Sequence, residues 1–485
     1  IVMSCKKDAS IVIIGAGFAG LAAANRLIND FGFRNVQILE ALHRAGGRVH
    51  TAVYDDKPVE LGVQYIHSRN SDIYRLAKRL NKSLTENRRE KEKAVTLDGL
   101  RISIKLLQEF HIAVENELLE RSFHCAKSNI ANASDHMVNN DYRSTSVVDV
   151  QHQVAVKFTK KHKRFIENNR EYFSNLTGNS DMSNDASLAC FRNLLKKFSS
   201  LVFGFDYGCN FPEHMSHFCV TNYQLDNRDD DDRFIVQGPP GYDLLVKKLI
   251  YQLPPNTIRF GYLVECIEYS VCCESKFGVR IHSRAAQENN SSFENEIINA
   301  DHVILTSSIG FLRSKLDTFF RPALPKWKRI AIQKMGMGCI EKVILFYPNE
   351  LKCVKKHEYI YCLPEADHCD MNEHNNDVLC LSCIQRLPLF DNAVLVWISP
   401  MSAPFVRSLS DCELKLCITK GFAKYLGTDE LSNPVKIVRT SWGDDIMFLG
   451  SYAYFSKEFE NSGCTQADLI NPVCDTENGV EVTLM

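Results

Sequence analysis

Three glycines, Gly15, Gly17 and Gly20, follow the short apolar run 11–14 and open an Ala- and Leu-rich stretch, 21–27, of helix-favouring residues. In a strand–turn–helix unit each has its own task. Gly15 permits the tight turn, the Ala16–Gly17 backbone admits a pyrophosphate, and Gly20 lets the helix pack close to the strand. The helix start would then aim free N–H groups at the phosphates. A second apolar run, 36–39, ends at Glu40, where a carboxylate suits a pair of ribose hydroxyls and disfavours a 2′-phosphate. Two later stretches exceed what a nicotinamide cofactor requires: Arg44-Ala-Gly46-Gly47-Arg48, and Glu60-Leu-Gly62-Val-Gln-Tyr-Ile-His67. A second glycine pair with an arginine suits FAD, whose diphosphate and flavin reach deeper into a protein.

Holding these groups in place takes a buried parallel sheet, since 11–14 and 36–39 are continuous apolar runs rather than alternating ones. Further strands are expected at 234–237, 257–267, 279–283, 300–306, 378–384 and 393–400, with 287–295 as a hairpin insertion. Helical spacing marks 71–80, with Ile73, Leu76, Ala77 and Leu80 on one face, and 411–426, with Leu414, Leu416, Ile418 and Phe422 as apolar positions. Longer helical patterns at 104–119 and 191–202 are separated by polar stretches, 126–142 and 175–185, expected as loops. Asp229, Asp230, Asp231 and Asp232 form either a solvated loop or an acidic rim that draws a polycation.

With 485 residues the chain can build two or three domains, and its net charge of −2 gives no electrostatic footprint for nucleic acid. No apolar stretch is long enough for a membrane helix, and no secretory signal is visible in a sequence that opens at Ile1. The 18 unevenly spaced cysteines then read as reduced thiols, and a cytoplasmic or nuclear location is expected. Cys362, Cys369, Cys380 and Cys383, with His357, His368 and His374, are the one cluster with metal-like spacing. Three apart on a strand, Cys380 and Cys383 would face opposite ways, which argues against a shared zinc.

The glycine turn, the Arg44–Arg48 stretch and the Glu60–His67 stretch together resemble the flavin-containing amine oxidases, and within them the polyamine oxidases. The resemblance continues through the strand and turn at 233–246, where Pro239-Pro240-Gly241 stands in place of a Gly-Gly pair, through 319–346, and through 437–454. It implies an α/β fold, in which an FAD-binding Rossmann-like, doubly wound domain (10–95, 234–310 and 433–485) accompanies a discontinuous α+β substrate domain (96–233 and 311–432). It places Val264 against the adenine end of FAD through its backbone, Trp442 at the cofactor, Tyr452 beside the flavin and His67 in the substrate tunnel. It gives Lys342 the task of holding a water at flavin N5, and burial would favour that lysine's neutral form. Asp206 and Glu213 are candidates for a distal acid, and the family's acid could also align with Cys209.

Such a site oxidises an amine whose nitrogen has lost its proton. Hydride leaves the adjacent carbon, water hydrolyses the iminium to an aldehyde and a shorter amine, and O2 is reduced to hydrogen peroxide. The expected substrates are a small polyamine, spermine or an N1-acetylpolyamine, and O2, with no nucleic-acid, membrane or metal partner. Two alternatives stand beside this. A histone-lysine demethylase of the same superfamily is opposed by the lack of a coiled-coil insertion. A truncated, non-catalytic relative is suggested because the Gly-Glu-Ala-Thr-like strand and the His-Gly helix of the family find no match, and the tail 474–485 has no evident counterpart.

Overall fold

The computed structural model describes residues 7–80, 84–86, 91–97, 99–131, 146–168, 184–209, 214–216, 219–220, 233–236, 240–269, 278–286, 293–355, 358–363, 381–428, 431–475 and 480–484. The first apolar run becomes the strand Ser10–Ile14, buried along its whole length. It sits inside a six-stranded sheet with the order Ile258–Phe260, Asn35–Glu40, Ser10–Ile14, His302–Leu305, Val480–Leu484, Val473–Asp475. The first five strands are mutually parallel and the last is antiparallel. Within the tail expected to lack a counterpart, the described parts 474–475 and 480–484 lie in this sheet. Val480–Leu484 is rich in β-branched residues and pairs with His302–Leu305 in register, His302 with Glu481 through Leu305 with Leu484. That strand's edge is covered rather than bare.

A four-stranded layer packs on this sheet, in the order Phe293–Ala300, Val279–Ala286, Tyr262–Tyr269, Phe320–Arg321. The first two form the expected hairpin. Val12, Ile14 and Leu39 from the parallel sheet meet Val264, Ile267, Ile281 and Ile298 from this layer in one buried cluster.

The rest of the chain is organised by a seven-stranded sheet, in the order Lys436–Arg439, Glu341–Phe346, Ala393–Ile398, Cys383–Arg386, Glu358–Leu363, Lys91–Thr96, Arg101–Ile102. Two of the domain limits read from sequence differ from these pairings. Lys91–Thr96 joins the seven-stranded sheet by pairing with Glu358–Leu363, and Lys436–Arg439 joins it by pairing with Glu341–Phe346. Sheet partners 267 residues away in the first case and 90 to 96 in the second made those assignments, and no local pattern records them. Strand parity gives the sheet two apolar faces. Ile344 and Phe346 face the helices Ile104–Ala131, Val147–Lys161 and Asn184–Tyr207, packing with Phe110, Val150 and Phe198. Val343 and Leu345 face the helix Asp411–Leu426, packing with Ile418 and Phe422.

Several helices differ from expectation in extent or facing. Ile104–Ala131 continues past 119 into the stretch read as a loop, and Asn184–Tyr207 is twice the length of its apolar core pattern. Both are carried by packing against each other and the sheet rather than by continuous periodicity. Leu416 is 56% exposed and Ile73 is 45% exposed, so neither belongs to its helix's buried face. Tyr74 takes the place expected for Ile73, packing with Leu76, Ala77 and Leu80. The acidic run 229–232 lies outside the described residues, as do Cys369, Cys380, His357, His368 and His374. Cys383 begins its strand, and Cys362 and Cys383 are buried free thiols. Among the described residues no group of metal-binding side chains is present, and no helix is long and apolar enough to cross a membrane.

Candidate active site

The turn after Ser10–Ile14 runs Gly15-Ala16-Gly17 into the helix Phe18–Asn25. Gly15 has φ +104°, a conformation open to glycine, and a Cβ there would meet Thr306 Oγ1 at 2.7 Å. Gly20 lies so close beneath the turn that a Cβ would fall 1.9 Å from Gly15 O. Gly17 is the opposite case. Its Cβ would meet nothing within 4 Å, because Gly17 lines a cavity of about 350 Å³ together with Phe18, Ala19, Gly46, Gly47 and Arg48. Gly17 caps the helix without a side-chain hydrogen bond, so the first-turn N–H groups stay available to an anion. Ala16 is fully buried; its N–H donates to Glu40 Oε2 at 2.7 Å and its carbonyl accepts from Gly46 N–H at 2.8 Å. Glu40 Oε1 accepts from Leu42 N–H at 2.9 Å. Burial pushes the Glu40 carboxyl above its ordinary pKa, and those N–H groups pull against the shift.

Val264 forms part of the cavity wall from the facing layer, with Phe311, Phe319 and Phe448. The donor set fits the ADP half of FAD. Bare backbone at Gly17 and Gly47 faces the diphosphate position, an acid ends the second strand, and apolar walls flank them.

Arg48 leads from this cavity toward the seven-stranded sheet. Its guanidinium donates to Ser451 O at 2.8 Å, and burial lowers its pKa while nearby Tyr452 opposes the shift. Tyr452 is 44% accessible, yet burial raises its phenol pKa, with Arg48 opposing and Asp206 adding to the rise. Arg48 lines the cavity described above, with Tyr452 close enough to oppose its shift. Gly62 lies against Arg48; a Cβ there would sit 1.8 Å from Arg48 O.

Lys342 stands at the second position of Glu341–Phe346 and is 3% exposed. Its Nζ donates to Glu60 O at 3.0 Å, Gly62 O at 2.7 Å and Gln64 Oε1 at 2.9 Å. It also lies 4.9 Å from the centroid of the Trp397 ring, on the residue opposite it in the sheet. Desolvation lowers the lysine's pKa to about 7, and the Glu60 carboxylate opposes the fall. Glu60 is itself raised to about 7 by burial. The Glu60 carboxylate itself accepts from Tyr242 N–H and Thr51 Oγ1–H, while Lys342 Nζ takes the Glu60 backbone carbonyl. Trp442 closes the same segment from the other side, its Nε1–H donating to Leu61 O at 3.2 Å. It packs on Phe448 of the cavity wall, ring centroids 5.1 Å apart, and borders a second cavity of about 530 Å³ with Leu42, Arg44, His50 and Leu61.

Around the Trp397 ring, Gln385 Nε2–H donates to Tyr65 OH at 3.1 Å and Gln385 Oε1 accepts from Trp397 Nε1–H at 3.3 Å. Phe205 sits edge-on to Trp397 at 6.2 Å, and Tyr65 edge-on to His67 at 6.3 Å. His67 is exposed, on the short strand Ile66–His67 that pairs with Arg233–Val236. Asp206 is half-buried on Asn184–Tyr207 and acts on Tyr452 and Cys383. Cys209 is buried with Sγ donating to Phe203 O at 3.8 Å, and Glu213 lies outside the described residues. The structure thus joins Lys342, Gly62, Trp442, Arg48 and Tyr452 into one connected region. Sequence reading missed Gln64, Gln385, Tyr65 and Trp397. Trp397 was legible only as part of a strand, because its facing depends on its register with Lys342.

Residues 18–461 match the sequence model of the flavin containing amine oxidoreductases. The human peroxisomal N(1)-acetyl-spermine/spermidine oxidase is 24% identical over 479 residues, spanning 92% of this chain and 83% of that one. The Drosophila melanogaster protein anon-37Cs is 24% identical over 463 residues, spanning 93% and 81%. A solved putrescine oxidase bound to putrescine superposes with a TM-score of 0.63 at 17% identity, covering 98% of this chain and 93% of that one.

Proposed function

The chain belongs to the flavin-containing amine oxidoreductases, and from that premise we propose that it oxidises a linear polyamine of the spermine, spermidine or N1-acetylated class, with O2 as electron acceptor. The observation that carries the reading is the Lys342 ammonium group held by Glu60 O, Gly62 O and Gln64 Oε1 over Trp397, beside the cleft that Arg48 lines. The human and bovine relatives named for N(1)-acetyl-spermine/spermidine oxidation and the Arabidopsis probable polyamine oxidase 5 support the substrate class.

Gly17, Gly46, Gly47, Arg48, Glu40 and Val264 would hold FAD, whose isoalloxazine accepts two electrons as hydride and passes them to O2. The protein's own part is positional and protonic. Tyr65 and Phe205, packed near the Trp397 ring that Lys342 already covers, offer aromatic faces that would attract the substrate's protonated nitrogens. The half-buried Asp206 supplies negative charge near Tyr452. The reacting nitrogen must arrive neutral, and Lys342, lowered to about 7 by burial, can hold or release a proton beside it without a large energetic cost. Burial of the region keeps bulk water from the reacting carbon until the iminium forms, when one water yields the aldehyde and the shorter amine. Exposed at the end of its strand, His67 would meet substrate at the approach.

The test is the visible absorption of the purified, desalted chain, followed by anaerobic addition of amines. A bound-flavin spectrum that bleaches with spermine or N1-acetylspermine and little with putrescine supports the reading. Flavin that bleaches with putrescine alone points to a diamine oxidase. Flavin that no polyamine reduces overturns the substrate class, and a soluble chain that retains none overturns the enzyme.

A further inference from the structure

Lys342 and Trp442 lie a hundred residues apart, on a sheet strand and in a turn, yet both close on the 60–64 segment. The Glu341 carboxylate links them. Glu341 is fully buried and, by strand parity, points to the face opposite Lys342. Its Oε2 accepts from Trp442 N–H at 3.1 Å and Thr440 Oγ1–H at 2.5 Å. Its Oε1 accepts from Gly443 N–H at 3.0 Å and Cys339 Sγ–H at 3.0 Å. Arg407 Nη1 stands 3.6 Å from Oε1 and supplies the balancing charge. Thr440 Oγ1 in turn accepts from Lys342 N–H at 2.8 Å. The circuit closes on the other side, where Trp442 Nε1–H reaches Leu61 O and Lys342 Nζ reaches the carbonyls of Glu60 and Gly62.

We propose that Glu341 is a positioning residue that sets the Trp442 turn and the Lys342 strand end against the 60–64 segment as one unit, so that the tryptophan and the lysine keep a fixed relation to the flavin. The chemistry of the donors makes a carboxylate necessary. Two backbone N–H groups address different oxygens of the same side chain, so both oxygens must accept. A glutamine turns an NH2 toward one of them and leaves a buried N–H unmet. An aspartate is one methylene short of the turn. The turn is closely packed, since a Cβ on Gly443 would meet Arg407 Nη1 at 2.6 Å and Cys339 Sγ at 3.0 Å.

The catalytic consequence rests on the amine-oxidase reading, whereas the circuit does not, and the experiment separates them. Amide hydrogen exchange is measured on the unliganded full chain, in wild type and Glu341→Gln. The amides of Lys342, Trp442 and Gly443 are expected to exchange about tenfold faster in the variant, with the amides of 344–346 unchanged. Unaltered exchange at all three overturns the proposal. If Glu341→Gln does not fold, Thr440→Val decides. It removes only the link to the strand, so the Lys342 amide alone should quicken, and equal protection there overturns the circuit. In flavin-loaded protein, Glu341→Gln should reduce flavin about tenfold more slowly at saturating amine, with half-saturation within about twofold of wild type. A rate equal to wild type despite faster exchange overturns the positioning role while leaving the oxidase reading intact. If wild type holds no flavin the oxidase reading falls, and exchange alone still settles the circuit.

Discussion

At the nucleotide turn the shapes that matter lie within six residues. Gly15 bends, Gly17 faces the cavity, and Gly20 lies under Gly15 O. Around Lys342 the three acceptors come from residues 282, 280 and 278 positions away in sequence, and the ring beneath it comes from a neighbouring strand. The first site is specified by backbone, because a glycine there is a statement about where a Cβ cannot go. The second is specified by side chains brought together by the fold, and its residue types are individually ordinary. A site of the first kind is easy to find, and at Gly15 and Gly20 it leaves no room for a side chain. The other is hidden until sheet register is known, but each of its members can be altered and measured on its own.

The contrast can be broken most forcefully at the lysine. Lys342→Met should retain flavin and lower the rate of anaerobic flavin reduction by about a hundredfold, a typical loss for a proton-handling group. Stopped-flow bleaching measures it, and a rate within threefold of wild type would remove Lys342 from the chemistry.

The glycines sharpen the same contrast. Gly20→Ala places a methyl 1.9 Å from Gly15 O, an overpacking that should cost about 3 kcal/mol and appear as a lower denaturation midpoint. Gly17→Ala has open space and an ordinary φ of −70°. It should leave stability within about 0.5 kcal/mol yet weaken flavin retention about tenfold. Equal losses of stability at the two positions would deny the division of labour between them.

A separate effect is on pH dependence. Lys342 has its folded pKa lowered from 10.5 to about 7 by burial. Between those values the unfolded chain binds the extra proton, so this residue's contribution is present above 10.5 and is lost as pH falls toward 7. Stability should therefore rise with pH across that window in wild type and rise less in Lys342→Met, as read by chemical denaturation at several pH values.

The parallel-sheet strands, the glycine turn and the helix Asp411–Leu426 were legible because local patterns carry them: continuous apolar runs, fixed glycine spacing, and apolar positions at helical spacing, to which the structure adds a capping box from Ser410 to Glu413 with Gly427 at the far end. Leu416 shows where that stops, since an apolar residue at i+2 from Leu414 points to solvent on a helix. The sheet membership of Lys91–Thr96 was not legible at all. Three of its residues are buried in the order Ala94, Val95, Thr96 behind a polar start, and only its parallel partner Glu358–Leu363 explains why. Lys342 could be found by likeness to a family. The residues that hold it, Gln64 and the backbone of Glu60 and Gly62, needed the tertiary fold, because a carbonyl carries no mark in a sequence.

The six-stranded sheet has a consequence for how the protein is made. Ser10–Ile14 and Asn35–Glu40 leave the ribosome first, yet their next neighbours are Ile258–Phe260 and His302–Leu305, and Val480–Leu484 follows much later. At ordinary translation speeds the early pair waits on the order of tens of seconds for its partners. Its buried faces and unpaired edges are exposed for that interval, and non-local parallel pairing is slow even once the strands exist. Productive synthesis then depends on shielding the nascent nucleotide half, so the yield of soluble protein should respond to chaperone supply and growth temperature more than to the stability of the finished fold.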